Sequence, residues 1–315
     1  MNILTWHVHG NYLYYLSQLP HNIFLPLDGT GAGDYLGRGS SFPWGPHVFD
    51  VLVDDIPSLR LDCVIFQRER HYLRDQYMIL SEKQRKLPQI YIEHDPPQQH
   101  PTNTRHCLYN SSVFLVHVTH FNSLMWDIGT TPSAVIPHGV MVPEDARYTG
   151  SLGRGLVAVN HLEKRGRRLG VDIFCDISRR VPLDLVGMDS ERLGGRGEIS
   201  HRDFPYFLSS YRFFFNPIRY TSLGLSVCEA MMVGLPVVGL ATTEMARVIE
   251  NYKTGYIDTD IGRLIDFMNL LVNNPERAGE LGENARAYAK KHFSIERFAR
   301  DWQDVLDLVV NGGSA

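Results

Sequence analysis

The tract that could do the most chemistry is F-F-F-N-P-I-R-Y-T-S-L-G-L-S-V-C-E-A-M, residues 213–231. An apolar, β-prone run empties through Asn-Pro into a loop, and the loop opens into a helical pattern at Gly224. Thr221 and Ser222 are side chains that favour helix N-caps. Gly224 lets a backbone approach a ligand with no side chain in the way. The unpaired N–H groups and positive end of such a helix suit a phosphate. Glu229 follows within the first two turns, where its carboxylate could accept hydrogen bonds from a ribose diol. Read on its residues alone, the same tract also fits a capped helix packed by Leu223, Leu225, Val227 and Met231, with Glu229 in solvent.

Other polar groups stand at the ends of apolar runs. His94-Asp95-Pro96-Pro97 follows Y-I-E, and the rigid Pro-Pro turn would hold the histidine at the mouth of a cleft. His7 and His9 flank the end of the first apolar run beside Gly10, where ligand contact and plain loop polarity fit equally well. The turn N-H-L-E-K-R-G-R-R-L-G gathers Lys164, Arg165, Arg167 and Arg168, a local basic cluster in a mildly acidic chain. Asp258-Thr259-Asp260 has the D-x-D form of a metal site, but it ends a strand and begins a helix, so Thr259 or Asp260 reads as an N-cap and no metal is expected.

These groups need elements to carry them. Strands are expected at 3–6, 23–27, 48–53, 63–66, 90–93, 113–118 and 134–136, with helices at 11–19 and 72–85. The continuous apolar strands suit a parallel sheet covered on both faces. M-V-P-E-D-A-R-Y-T-G-S-L-G-R-G, from Met141, reads as a linker. The pattern then restarts, with strands at 156–159, 183–186, 212–216, 236–240 and 255–258. Helices are expected at 168–179, 204–211, 224–233, 243–249, 261–273, 275–291 and 295–310. The expected architecture is α/β, with two Rossmann-like domains at 1–145 and 146–293 and a ligand cleft between them, followed by a last helix at 294–315 packing back on the first domain.

The 315 residues are 43% hydrophobic and 21% charged with a net charge of −4, which points away from a nucleic-acid duplex as partner. The four cysteines are far apart, which argues against a zinc or disulfide framework. The N-terminus lacks the form of a signal peptide and no apolar run is long enough to span a bilayer, so a cytoplasmic protein with at most peripheral membrane contact is expected.

Taken in order, N-P, S-L-G-L-x-x-x-E-A-M-x-x-G-L-P-V-V, His94 after Y-I-E, V-I-P-H-G-V through Gly139 and the terminal F-S-I-E-R-F resemble the landmarks of GT-B retaining glycosyltransferases of family 4 (glycosyl transferases group 1). The resemblance implies a GT-B fold and metal-independent sugar transfer from a nucleotide sugar. UDP-glucose is expected as donor on family frequency, with a sugar, lipid-linked or other small acceptor and a setting in bacterial polysaccharide or glycoconjugate synthesis. No cofactor is implied. Carried over by position, Glu229 binds the donor ribose, and Ser222, Leu223, Gly224 and Leu225 meet the phosphate or sugar. Gly197 and Ile199 face the base, Gly10 admits the diphosphate, and His94 lies near the anomeric centre. The diphosphate-neutralising pair is drawn from Lys164, Arg165, Arg167 and Arg168. The chain departs from the family at Thr221, which stands where a sugar-binding glutamate is usual, in lacking a clean Arg…Lys pair, and in its short N-terminal half. Thr221 therefore leaves two alternatives, a non-catalytic nucleotide-sugar binder and a GT-B nucleotide-sugar epimerase.

Overall fold

The computed structural model describes residues 1–30 and 33–312. The chain divides into two compact units, Met1–His138 with Ile295–Ala315, and Gly139–Ser294.

In the first unit the strands are β1 (Asn2–Thr5), β2 (Asn22–Leu27), β3 (Val48–Leu52), β4 (Cys63–Phe66), β5 (Gln89–Glu93), β6 (Phe114–His117) and β7 (Ser133–Val135). They form one parallel sheet in the order β3-β2-β1-β4-β5-β6-β7. Every residue of β4 is buried, as a strand covered on both faces requires. Leu4, Trp6, Val64, Phe66, Tyr91 and Leu115 are central to the core on one face. The order reverses between β1 and β4. There the crossover connections diverge and leave a crevice at the strands' carboxyl ends. The segments that follow β1, β4 and β5 meet at that edge, and helix α1 (Gly10–Leu16) starts from it.

The helix expected over 72–85 is broken. A π-helical turn at His71–Asp75 runs into α2 (Gln76–Ile79), the chain extends at Leu80, and a short 3-10 turn follows at Gln84–Lys86. The break has a local cause in S-E-K-Q. The Ser81 N–H donates to Gln84 Oε1 (2.9 Å) while the Gln84 N–H donates to Ser81 Oγ (3.3 Å), a reciprocal capping box that starts a new turn. A further helix, α3 (His120–Met125), was not expected; the Thr119 hydroxyl caps it by accepting from the Asn122 N–H (3.1 Å).

The second unit carries β8 (Leu152–Ala158), β9 (Leu183–Val186), β10 (Tyr211–Asn216), β11 (Val237–Leu240) and β12 (Gly255–Asp258), parallel and ordered β12-β11-β10-β8-β9. Its switch point lies between β8 and β10. The helices are α4 (Leu162–Leu169), α5 (Val171–Ile177), α6 (Phe204–Ser209), α7 (Leu225–Val233), α8 (Met245–Val248), α9 (Ile261–Asn273) and α10 (Pro275–His292). The helix expected over 168–179 is instead two, parted by Gly170 at φ 85° and kinked before it at Gly166, φ 62°. Gly170 has a second constraint, since a Cβ there would lie 2.0 Å from the Pro217 carbonyl oxygen.

The stretch expected as a linker from Met141 is structured at its end, where Leu152 begins β8. Earlier in that stretch the Tyr148 N–H donates to Val233 O (3.1 Å) and the Thr149 N–H to Ser209 O (2.8 Å). Its polar composition hid these backbone bonds.

The last helix, α11 (Ile295–Asn311), belongs to the first unit. Its Phe298 and Trp302 are fully buried. The Trp302 indole donates to the Tyr12 hydroxyl (3.3 Å), and Arg297 donates to the Pro137 (2.8 Å) and His138 carbonyls.

His117, at the end of β6, is fully buried, and neither ring nitrogen has a hydrogen-bond partner among the described residues. Burial pushes its pKa down to about 4, with His106 adding to the effect. The unfolded chain protonates this ring near pH 6.5 and the folded chain does not, so folded stability is lost as pH falls from about 6.5 toward 4. In urea titrations at stepped pH, His117→Leu should flatten that loss relative to the parent by about 1.4 kcal/mol per pH unit. An unchanged slope would mean that His117 takes up its proton in the folded state.

Candidate functional site

In the second unit, polar groups collect at the switch point. The strand β10 ends at Asn216, and the loop to α7 is strapped against α4 and α5. The Arg219 N–H donates to Arg168 O (3.0 Å), and the Arg219 guanidinium binds Asp172 through both nitrogens (2.6 and 2.8 Å). Arg167 also donates to Asp172 (2.5 Å). The Arg219 side chain holds the Asp172 carboxyl below the usual carboxylate range. Of the basic cluster, then, Arg167 is engaged in a structural pair, whereas Lys164 and Arg168 make no ion pair among the described residues.

The N-cap of α7 is Gly224, in extended conformation, a residue with no side chain of its own to cap the helix. Thr221 and Ser222, expected as caps, lie too far upstream, because the two further loop residues Leu223 and Gly224 set the helix start. A Cβ built on Gly224 would meet only Ser226 Oγ, at 3.4 Å, so the backbone here borders open space. Ser222 and Leu223 are buried, while Thr221 and Leu225 are half-buried. Every residue of α7 from Val227 to Val233 is buried.

Glu229 is among them, at 2% exposure, so the solvated-helix reading of this carboxylate does not hold. A charge taken out of water requires polar partners. One flanking group is His201, whose Nδ1 stands 3.9 Å from Glu229 Oε1 and whose pKa burial lowers. Sequence reading did not single out His201; it lies in the polar turn His201-Arg202-Asp203, with no motif to flag it.

Gly197 and Ile199 occupy the loop after β9. Gly197 is left-handed (φ 80°), its N–H donates to Ser190 Oγ (2.9 Å), and its carbonyl accepts from the Gly187 N–H (2.8 Å). Ile199 is half-buried. On the neighbouring turn after β8, Asn160 Oδ1 accepts from the Met188 N–H (2.9 Å), tying the β8 and β9 loops together.

In the first unit, His94 follows β5 and Gly10 follows β1, and the topology brings both to the edge where strand order reverses. The His9 and Tyr12 rings lie 4.4 and 4.8 Å from the His94 ring. Gln67, after β4, donates from its amide nitrogen to the Trp6 carbonyl (2.8 Å) and to Thr5 Oγ1 (2.9 Å). A carbonyl only accepts, so this fixes the amide orientation and turns Gln67 Oε1 toward His94 Nε2 at 3.0 Å. Nε2 must then carry the proton, leaving the lone pair on Nδ1. Burial, then the neighbouring His9 and His138, keeps the His94 pKa well below the usual imidazole range. Gln67 is a positioning residue that sequence reading missed, because it lies in no motif. At Gly10 the side-chain position is taken by the Phe42 ring, whose Cε2 would lie 2.7 Å from an added Cβ, so this glycine admits an aromatic ring beside the helix start.

Asp260 caps α9, accepting from the Gly262 (2.8 Å) and Arg263 (3.3 Å) N–H groups. Asp258 accepts from the Asp260 N–H (2.9 Å) and from the Tyr256 hydroxyl (2.8 Å). The D-x-D tract is built as a strand-to-helix cap.

The loop, Gly224, α7 and Glu229 all fall within one stretch that matches a known family. Residues 195–288 match the Glycosyl transferases group 1 family. Within the curated proteins, a trehalose synthase of Pyrococcus horikoshii is 31% identical over 84 residues, covering 27% of this chain and 20% of that protein. An alpha-D-kanosaminyltransferase of Streptomyces kanamyceticus is 27% identical over 143 residues, 44% of this chain and 37% of that protein. The matched segments thus span between 20% and 37% of these relatives' length. The fold likeness is wider. Sucrose-phosphate synthase of Thermosynechococcus elongatus aligns with TM-score 0.75 over 99% of this chain and 100% of its own, at 14% identity. The fold is that of the GT-B glycosyltransferase structures, two parallel-sheet α/β units, and the group 1 segment carries Gly197, Gly224, α7 and Glu229.

Because Asp260 acts on the helix end, Asp260→Ala should cost about 1 kcal/mol of stability. A melting curve measures that loss, and a variant with parental stability would remove Asp260 from the cap.

Proposed function

We propose that the protein is a glycosyltransferase that moves a sugar from a nucleoside-diphosphate donor to a hydroxyl acceptor, without a metal and with retention at the anomeric carbon. The single observation that carries this reading is Glu229. It is a buried carboxylate on α7, just behind a helix start whose N-cap is Gly224, within the segment that matches the Glycosyl transferases group 1 family. Glu229 accepts hydrogen bonds from the ribose hydroxyls, and the N–H groups at the start of α7 donate to diphosphate oxygens. Lys164 and Arg168, which are not held by carboxylates, neutralise the charge that the departing diphosphate gains as the sugar–oxygen bond breaks. Gly197 and Ile199 border the base. UDP-glucose is the proposed donor. Support comes from a fold neighbour, Anabaena HepE, whose structure is described as a complex with UDP-glucose (TM-score 0.68, 14% identity, 98% of this chain and 99% of that one). The acceptor is proposed to be a sugar or a lipid-linked sugar of a cell-surface glycoconjugate.

His94 is assigned to the chemical step in the first unit. Burial and the neighbouring His9 and His138 keep its ring neutral, and Gln67 orients that ring for a sugar or acceptor hydroxyl.

Thr221 favours a second reading. It is half-buried at the position where a sugar-contacting glutamate is usual, so the protein could bind a nucleotide sugar without turning it over. Turnover across a panel of acceptors separates the two.

A melting-temperature screen of UDP-, GDP-, ADP- and dTDP-sugars tests the donor site, since a ligand of the folded state raises the midpoint. The UDP-sugars should give the largest rise. Glu229→Ala should weaken binding of the free nucleoside diphosphate about tenfold to a hundredfold, the loss of one charge-assisted hydrogen bond. Affinity equal to the parent's would remove Glu229 from the site.

His94→Ala should lower kcat while leaving nucleotide affinity near the parent value, the pattern of an interaction made in the transition state. An equal loss of nucleotide affinity would place His94 in donor binding instead.

A further inference from the structure

The segment 68–86, R-E-R-H-Y-L-R-D-Q-Y-M-I-L-S-E-K-Q-R-K, has two faces of opposite character. Its inner face is fastened. His71 stacks on Trp6 (ring centroids 4.4 Å apart, 11° between planes) and meets Asp34 at 3.0 Å, while buried Asp75 accepts from the Tyr35 hydroxyl (2.8 Å). Gln76, Ile79 and Leu80 are buried beside them. The outer face presents Leu73, Tyr77 and Met78, exposed by 49%, 65% and 74%. Three large apolar side chains within six residues are held outward by a fixed backbone, and no described residue covers them.

The charge around them is one-sided. The segment holds six basic residues, Arg68, Arg70, Arg74, Lys83, Arg85 and Lys86, against three acidic ones, in a chain whose net charge is −4. One of the three acids, Asp75, is buried and already paired with Arg70. Arg74 and Lys83 make no ion pair among the described residues, and the Arg85 guanidinium lies 5.6 Å from the centre of the Tyr77 ring. Basic side chains bordering an outward apolar strip are what an anionic bilayer surface takes up: the strip enters the headgroup boundary and the cations meet lipid phosphates. A second copy docked by the same face would set this surplus of positive charge against itself. A nucleic acid would leave Leu73 and Met78 with nothing apolar to bury against.

We propose that the outer face of 68–86 is a docking surface for an anionic membrane, with Leu73, Tyr77 and Met78 inserted and Arg74 and Lys83 among the cations that contact lipid headgroups. The mode is peripheral, since no helix among the described residues is long and apolar enough to cross a bilayer. It does not rest on the sugar-transfer reading, and its test uses no sugar nucleotide.

Co-sedimentation of the full chain with phosphatidylcholine vesicles, with and without about a third phosphatidylglycerol, decides it. Binding should require the anionic lipid and weaken with added salt. Arg74→Glu with Lys83→Glu should weaken it further, by about fivefold for each positive charge removed. Leu73→Ser, Tyr77→Ser and Met78→Ser together should release the protein from vesicles while its melting temperature holds, because these side chains are already in water. Equal binding to neutral vesicles, or parental binding by the triple serine variant, would overturn the proposal. So would a concentration-dependent dimer that the triple variant dissociates while vesicle binding is unchanged.

Discussion

In a parallel sheet every strand is entered from the same end, so each connection must cross back over a face of the sheet before the next strand begins. Both units obey this constraint, and everything functional in them follows from it. The carboxyl ends of the strands all open at one edge, and where strand order reverses, between β1 and β4 and between β8 and β10, neighbouring connections part. Sequence-distant groups meet at those two places. Gly10, Gln67 and His94 follow β1, β4 and β5; Asn160, Gly197 and Gly224 follow β8, β9 and β10.

Burial then sets the chemistry of what has been gathered. Removing water raises the cost of a charge that lacks partners, and the two units respond differently. His94 stays neutral, and the Gln67 amide decides which ring nitrogen keeps the proton. Glu229 is buried in a helix that is almost wholly apolar, with His201 nearby and the glycine-capped helix start a turn and a half ahead. The Arg219–Asp172 pair works differently, as a half-exposed clamp that fixes the loop between them. The outer face of 68–86 shows the reverse arrangement, apolar groups held in water because the opposite face of the same segment is locked by His71 and Asp75.

Much of this was legible in the residues. Continuous apolar runs identified nearly all of the strands, because a strand buried on both faces has no polar alternation to confuse it. The start of α9 was legible at Asp258-Thr259-Asp260, since a capping carboxylate acts within its own turn. The break inside 72–85 was also written locally, in the S-E-K-Q capping box, although helical periodicity outweighed it. Elsewhere the local signal misled. The run from Met141 has linker composition yet forms the start of β8, and Thr221 and Ser222 are cap residues by type but not by position.

By itself the sequence determined the order of elements, the parallel character of both sheets, and the tract from Asn216 to Glu229 as the place to look, because strand burial, helix starts and glycine freedom are local properties. It could not determine whether Glu229 was solvated, which of Arg167, Arg168 and Lys164 was already paired, or that Gln67 and His201 belong beside His94 and Glu229. Those are facts about neighbours tens of residues apart. Only strand order and packing bring such groups within a few ångströms, and only then do burial and hydrogen-bond geometry choose their charge.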